Sequence, residues 1–301
     1  MNRFENMEHF VKVVETGSIT AAAERLEVAK SAVSRRLKEL ETHLGAELFH
    51  RTTRRMTLTD TGRTFYHQSV HILEQLLEAE QSTTQAHGIL EGRLKIALPS
   101  SFGLLHMGTA IDDFLKLHPQ ITFELDFNDR EVNLVHEGFD LALRIANLPD
   151  SSLIARRLAN IKLHICATPT YLKKRGTPHT LADLAQHQCL LYSLMRDGDV
   201  WQFDDQEGNT ERVKLNAAMR ANSGDFLKEA ALADRGVVFL PTFMTYTEIQ
   251  AGRLVPLLTH YKPFRLSAYA LYPQTHHLSK RVRAFVDFLA KRFAGIPYWD
   301  Q

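Results

Sequence analysis

In the stretch Ala29 to Glu41, AKSAVSRRLKELE, hydroxyls and cations fall at helical spacing. Ser31, Ser34, Arg35 and Lys38 share one face, with Lys30 near its start. Hydroxyls and helix-terminal N–H groups can fix register on phosphates, and an arginine fork can read the acceptor edge of guanine in a major groove. The opposite side carries Val33, Leu37, Leu40 and Leu44, an apolar stripe whose burial leaves the polar face pointing outward. On a lone helix such a charge run is usually no more than a solvated surface. Here a second basic element follows, AELFHRTTRRMTLTDTG, in which Leu48, Phe49, Met56 and Leu58 bracket Arg51, Thr52, Thr53, Arg54 and Arg55. Two short extended arms joined by a basic tip resemble a wing that lies along a minor groove or a phosphate backbone.

Other chemistry is thinner. Ligands of open α/β sheets bind where strand ends meet helix N-termini. Ser100 and Ser101 occupy one such junction, and Asn222 and Ser223 precede a second helix, so their donors could face each other across a cleft. Serines before helices are equally often plain caps. His164 and Cys166 share a strand face, a minimal requirement for a thiol–imidazole pair and equally ordinary for sheet neighbours. His67 and His71 lie four residues apart without a third metal ligand. No metal site or resident cofactor is expected. Neither a phosphate-cradling glycine loop nor a nucleophile elbow is present.

The background makes the basic cluster meaningful. Lys and Arg number 36 against 35 Asp and Glu, a formal net charge of +1, so attraction to an anionic partner must be local. The 301 residues, 44% apolar, suffice for two or three cores. No apolar run has the length of a bilayer span, and the N-terminus lacks a secretory core, so a cytoplasmic protein without membrane contact is expected. Cys166 and Cys189 are too few for a disulfide framework.

These residues require positioning elements. Met7, Phe10, Val11 and Val14 mark a first helix stopped by Gly17; Ser18 or Thr20 caps a second around Ala21, Ala22, Ala23 and Leu26; Gly45 closes the third. From Asp60, read as an N-cap, to His87 one long helix is expected, with Phe65, Ile72, Leu73, Leu76 and Leu77 as a stripe that can pair with a second copy or pack on its own chain. Strands and helices then alternate as in a mostly parallel sheet. Strands are expected at Arg93 to Leu98, Ile121 to Phe127, Leu141 to Ile145, Leu163 to Ala167, Val237 to Leu240 and Ser267 to Leu271, with a final helix at Ser279 to Phe293. The division is a head (1–59), a linker helix (60–88) and a two-lobed α/β region (92–295), with one lobe at 92–161 plus 266–295 and the other at 162–265.

The run FVKVVETGSITAAAERLEVAKSAVSRRLKELETHLGAELFHRTTRRMTLTDTG resembles the N-terminal signature of LysR-type transcriptional regulators. EGFDLALRIANLPDSSLIARRLA, CATPTYLKKRGTPHTLADLA and GRLVPLL resemble the regulatory domain of that family, related in fold to periplasmic solute-binding proteins. The fold implied is an N-terminal, largely α-helical winged helix-turn-helix with a long linker helix, followed by a two-lobed α/β effector domain. The resemblance implies that Lys30, Ser31, Ser34 and Arg35 contact DNA from the recognition helix and that Arg51 and Arg54 lie on the wing. It makes Ser100, Ser101, Asn222 and Ser223 effector-pocket positions, with Asn128 and Arg144 beside them; Arg144 could equally form a structural ion pair. Ala29 and Lys30 depart from the family pattern, which has a hydroxyl residue and glutamine there. The expected partners are double-stranded operator DNA with an interrupted dyad, a second or further copy in a homodimer or homotetramer, and a small-molecule effector. An enzyme using the cleft and a sequence-neutral DNA compactor are the rival readings.

Overall fold

A computed structural model describes residues 2–51, 56–84, 89–147, 153–195, 198–205, 207–273 and 278–301. The head begins with α1 (Arg3–Thr16), α2 (Ile19–Arg25) and α3 (Lys30–Leu44). Gly17 and Gly45 each adopt a left-handed conformation, φ 66° and 64°, and end α1 and α3; the Ser18 hydroxyl accepts from the N–H groups of Thr20 and Ala21 to start α2. Phe10, Val13, Ala22, Val33, Leu37, Leu40 and Leu48 form a closed core between the three helices and a hairpin of β1 (Phe49–Arg51) and β2 (Met56–Leu58). Leu44, expected in the stripe, is 39% exposed because it sits beside the terminating Gly45, beyond the last contact with the core.

The linker helix is α4 (Asp60–Thr84); residues 85–88 of the expected helix lie outside the described residues. Its cap is Thr59 rather than Asp60: the Thr59 Oγ1 accepts from Gly62 N at 2.8 Å and donates to Glu47 O at 2.8 Å. Asp60 falls in the first turn instead, where a carboxylate still favours the positive end of the helix. Gly62 fits α4 against the head, since a Cβ there would stand 2.0 Å from Leu48 O.

Next come β3 (Glu91–Leu98), α5 (Ser100–Phe102), a π-helical turn (Gly103–Met107), α6 (Gly108–Leu117), β4 (Gln120–Phe127), α7 (Leu134–Glu137), β5 (Leu141–Ala146) and β6 (Leu153–Ile161). The chain crosses into β7 (Leu163–Ala167), α8 (Pro169–Arg175), β8 (Gln188–Tyr192), β9 (Val200–Asp204), β10 (Thr210–Lys214) and β11 (Asn216–Ala221). It continues through α9 (Gly224–Leu232), β12 (Val237–Pro241), α10 (Thr242–Gln250), β13 (Val255–Leu257) and β14 (Lys262–Pro263). It returns through β15 (Leu266–Pro273) and α11 (Lys280–Arg292) and ends in a 3-10 turn at Tyr298–Asp300.

Two five-stranded sheets result, ordered β4-β3-β5-β15-β6 and β11-β8-β12-β7-β13, with a small β10-β9-β14 sheet beside the second. Within each large sheet a parallel trio is extended by antiparallel strands: β3 pairs parallel with β4 and β5, and β8 pairs parallel with β11 and β12. One continuous apolar cluster runs from Leu94, Phe114 and Phe285 of the first lobe to Cys166, Leu190 and Leu240 of the second. Phe102 meets Phe243 edge-on across the lobe junction at 5.3 Å, and Trp299 of the last turn packs against both. His106 is buried in this aromatic seam, with Nε2 3.2 Å from Phe243 O and Nδ1 against the Tyr298 hydroxyl; burial lowers its pKa. The lobes are therefore held by more than their crossover strands.

Candidate functional site

Helix α3 turns two kinds of arginine to different uses. Lys30, Ser31, Arg35 and Lys38 are exposed and Ser34 is half-buried, so all five sequence-selected residues share the outward side. Arg35 keeps 68% of its side chain accessible and reaches Glu39 only at 3.8 Å. Arg36, one position on, is 22% accessible and donates from Nη2 to Glu5 Oε1 at 2.6 Å, clamping α3 to α1. Ala29 starts α3 without a side-chain cap, which leaves first-turn N–H groups at an exposed helix end. The wing expectation is met in its two arms, with Phe49 opposite Leu58 and Arg51 opposite Met56. Arg51 ends β1, whereas Arg54 lies outside the described residues.

Of the cleft residues, Ser101 reaches across the lobes, and not as a free donor. Ser101 Oγ donates to Asp225 Oδ2 at 2.8 Å, joining the start of α5 in one lobe to α9 in the other. Ser100 N donates to Asp129 Oδ1 at 2.9 Å. Tyr192, at the end of β8, faces the same carboxylate, and burial together with Asp129 pushes its phenol pKa up. Asp129 and Asp225 thus close the cleft opposite serine-bearing ends, and neither stands out in the sequence; the one local signal is that Asp225 is a carboxylate in a first helical turn. Ser223 is the cap of α9, accepting from Phe226 N at 3.2 Å. Arg144 forms no ion pair among the described residues: its guanidinium donates to Asn128 O at 3.1 Å and to Arg130 O, which makes it a brace for the loop after β4. Asn128 Oδ1 is buried without a partner, and Asn222 is exposed.

A cavity of about 620 Å³ opens at the lobe crossover. It is walled by the ends of β5 and β6, by β7 and by the segment running from β13 through β14 into β15. None of the six sequence-selected effector residues lines it.

Family models match this chain over residues 4–63, as a bacterial regulatory helix-turn-helix protein of the lysR family, and over residues 87–294, as a LysR substrate binding domain. The chain belongs to the LysR family of transcriptional regulators. It is 36% identical over 282 residues to an HTH-type transcriptional regulator of Haemophilus influenzae, covering 94% of this chain and 98% of the relative. It is 36% identical over 294 residues to CrgA of Neisseria meningitidis serogroup B, covering 97% of each. The solved structure of CrgA, a LysR-type transcriptional regulator, matches with a TM-score of 0.63 and 34% identity over 97% of this chain and 99% of that one. That of AphB, the Vibrio cholerae virulence activator, matches with a TM-score of 0.61 and 27% identity over 96% and 99%.

A LysR-type protein binds DNA through its head, binds small-molecule effectors through its α/β domain, and forms oligomers; it is a transcriptional regulator and not an enzyme. The His164–Cys166 pair accords with this: burial pushes the Cys166 thiol up to about 12, which disfavours the thiolate that is the nucleophilic form, and burial also lowers the His164 pKa. Burial likewise pushes Cys189 up to about 12. Among the described residues no helix is long and apolar enough to cross a membrane.

In this LysR-type chain α4 also docks on the first lobe. The His67 ring fits over Gly138, where a Cβ would come within 2.6 Å of Nδ1. Thr64 Oγ1 lies 2.9 Å from His136 Nδ1. One turn further, His71, Glu74 and Asp140 bring ligand-type atoms within 4.8 Å of one another, a grouping that the four-residue histidine spacing does not reveal. That cluster already holds a cation. The Arg281 guanidinium contacts Glu74, donates from Nε to Arg93 O at 2.9 Å and lies 4.0 Å from Asp140. The four residues form an ion-pair junction between the linker and the lobe.

Proposed function

We propose that two copies, paired through α4 into a homodimer that can assemble further into a homotetramer, bind the two halves of an interrupted dyad at a promoter in the cytoplasm. The working parts are a DNA-binding head at 1–59, a linker helix at 60–88 and an effector domain at 92–295, whose lobes comprise 92–161 with 266–295 and 162–265. Lys30, Ser31, Ser34, Arg35 and Lys38 face the major groove, and Arg51 and Arg54 follow the backbone from the wing. The observation that carries this reading is the division of labour on α3: Arg35 is exposed on the outer face with only a 3.8 Å approach to Glu39, while Arg36 is tied to Glu5. An effector in the cleft beside Ser100, Ser101, Asn128, Arg144, Asn222 and Ser223 would act by favouring one lobe arrangement over another. Asn128 supports that placement most directly, because its buried Oδ1 lacks a protein partner.

The linker stripe divides by packing. Phe65 and Leu73 pack on the head core, with Phe65 5.5 Å from the Phe10 ring. Ile72 and Leu77 are 36% and 54% exposed and Leu76 is half-buried, which leaves these three to meet a second copy. Ile72→Glu with Leu76→Glu is expected to shift sedimentation at low micromolar concentration toward monomer and shorten the DNase footprint to one half-site, because a charge buried against an apolar partner costs more than the contact it removes. A full dyad footprint from the double variant would overturn pairing through α4.

A further inference from the structure

The cavity at the lobe crossover differs from the rest of the chain in its charge. Acidic and basic residues are balanced in the sequence, yet the cavity is lined by Arg157, Lys162, Lys262 and Arg265 and by no carboxylate among the described residues. Lys162 is shared with Asp300 at 3.7 Å, and Lys262 stands cross-strand from Asp204. Arg157 donates from Nη1 to Asn160 Oδ1 at 3.5 Å, and neither Arg157 nor Arg265 has an ion-pair partner among the described residues. Both are exposed, Arg157 midway along β6 and Arg265 just before β15, on the two segments that carry the chain between the lobes. Between the cations the wall is aromatic: Phe203, Tyr261, Phe264 and Tyr269 contribute, and Phe264 keeps 38% of its surface open although one edge is packed on Phe239. The wall also includes His164, whose Nδ1 is buried without a hydrogen-bond partner, a polar atom that a ligand oxygen would satisfy. About 620 Å³ lies within the roughly 300–1,000 Å³ typical of small-molecule sites.

We propose that this crossover cavity is a binding site for a small carboxylate carrying an aromatic body, with Arg157 and Arg265 holding the anion and Phe264 its ring face. An arginine fork matches a carboxylate in a bidentate manner, and aromatic walls supply apolar contact without competing for the charge. The site rests on the reading of the two lobes as an effector-binding domain and lies apart from the Ser100 and Ser223 region. Because its walls come from both lobes, an occupant there bears directly on their relative position.

Calorimetry of the full chain with benzoate, benzamide, acetate and inorganic phosphate tests the proposal. Benzoate is expected to bind at least tenfold more tightly than its neutral isostere benzamide and than either small anion, and to weaken as salt rises. Arg157→Gln with Arg265→Gln is expected to lower benzoate affinity at least tenfold while melting and operator affinity without ligand stay as in the parent. Should that pair melt early, Phe264→Ala serves instead, with the same loss expected for benzoate and none for phosphate. Equal binding of benzamide, equal binding of acetate or phosphate, no detectable benzoate binding, or unchanged affinity in the variants would each overturn it. Operator gel shifts without benzoate are read separately, so failure of the DNA-binding scheme is distinguishable from failure of the anion site.

Discussion

Arg281→Met is expected to lower stability by about 2–3 kcal/mol, below the full value for a buried pair because Glu74 keeps some contact with water. Arg281 is 6% exposed, and its guanidinium serves Glu74, the Arg93 carbonyl and, more distantly, Asp140. Methionine fills much of the space but leaves the Glu74 carboxylate without its cation, where burial already raises the Glu74 pKa and Arg281 is the chief opposing influence. The sign follows. A carboxyl whose folded pKa lies above its unfolded value contributes stability below the unfolded value and loses it as pH rises through the folded one. Removing Arg281 raises the folded value further, so the deficit should be largest at neutral pH and shrink toward the acid side of the ordinary glutamate range. Urea unfolding at several pH values, together with hydrogen exchange of α4 and β3, reads both effects. Glu74→Gln on the Arg281→Met background should recover most of the loss; a deficit independent of pH and unrescued by glutamine would mean that Arg281 acts by packing alone.

Arg35→Ala should reduce the preference for the cognate operator over scrambled DNA by about 5- to 150-fold, the equivalent of roughly 1–3 kcal/mol for a bidentate base contact. Affinity for scrambled DNA should fall far less. Arg36→Ala is the informative neighbour: it breaks the 2.6 Å bond to Glu5 and should lower the melting temperature of the head while leaving the operator-to-scrambled ratio nearly unchanged. Arg51→Ala should weaken both DNAs evenly and flatten the salt dependence by about one phosphate contact. Titrations over a salt series on both DNAs separate the three. An unchanged ratio for Arg35→Ala would remove base reading from the outer face of α3.

Features written in neighbouring residues are legible in the sequence. The stripe Val33, Leu37, Leu40, the glycine stops at Gly17 and Gly45, and the Ser18 cap each depend on contacts within a turn or two. Residue pattern locates the strand β7 to the residue and β15 to within two. What escapes depends on distant partners. Glu74 and Arg281 are 207 positions apart, and no local pattern pairs them. The cavity draws its walls from Asn147, Arg157, 160–165, Phe203 and 257–269, so its charge is dispersed in sequence and collected only by folding. Between these extremes lies β9, where Trp201 and Phe203 alternate with Gln202 and Asp204 in a readable strand signal, while its partner β14, two residues with a proline, carries almost none. Ser223 and Arg144 illustrate the remaining ambiguity: residue type admits both ligand and scaffold roles, and only the partners found at 3.2 and 3.1 Å show a cap and a brace.

The position of β15 in the first sheet sets an order of events during synthesis. That sheet runs β4-β3-β5-β15-β6, so its fourth strand is made after the entire second lobe, and α11, which covers the same core, is made later still. Every strand of the second lobe's sheets lies between Leu163 and Pro263, a single uninterrupted stretch. On a translating ribosome the head can close first and the second lobe next, while β5 and β6 wait with unpaired edges for residues 266–273 to emerge. The half of the effector domain that begins earliest is thus finished last, and a nascent chain stalled before β15 exposes a split sheet, the kind of open edge that invites pairing with another molecule.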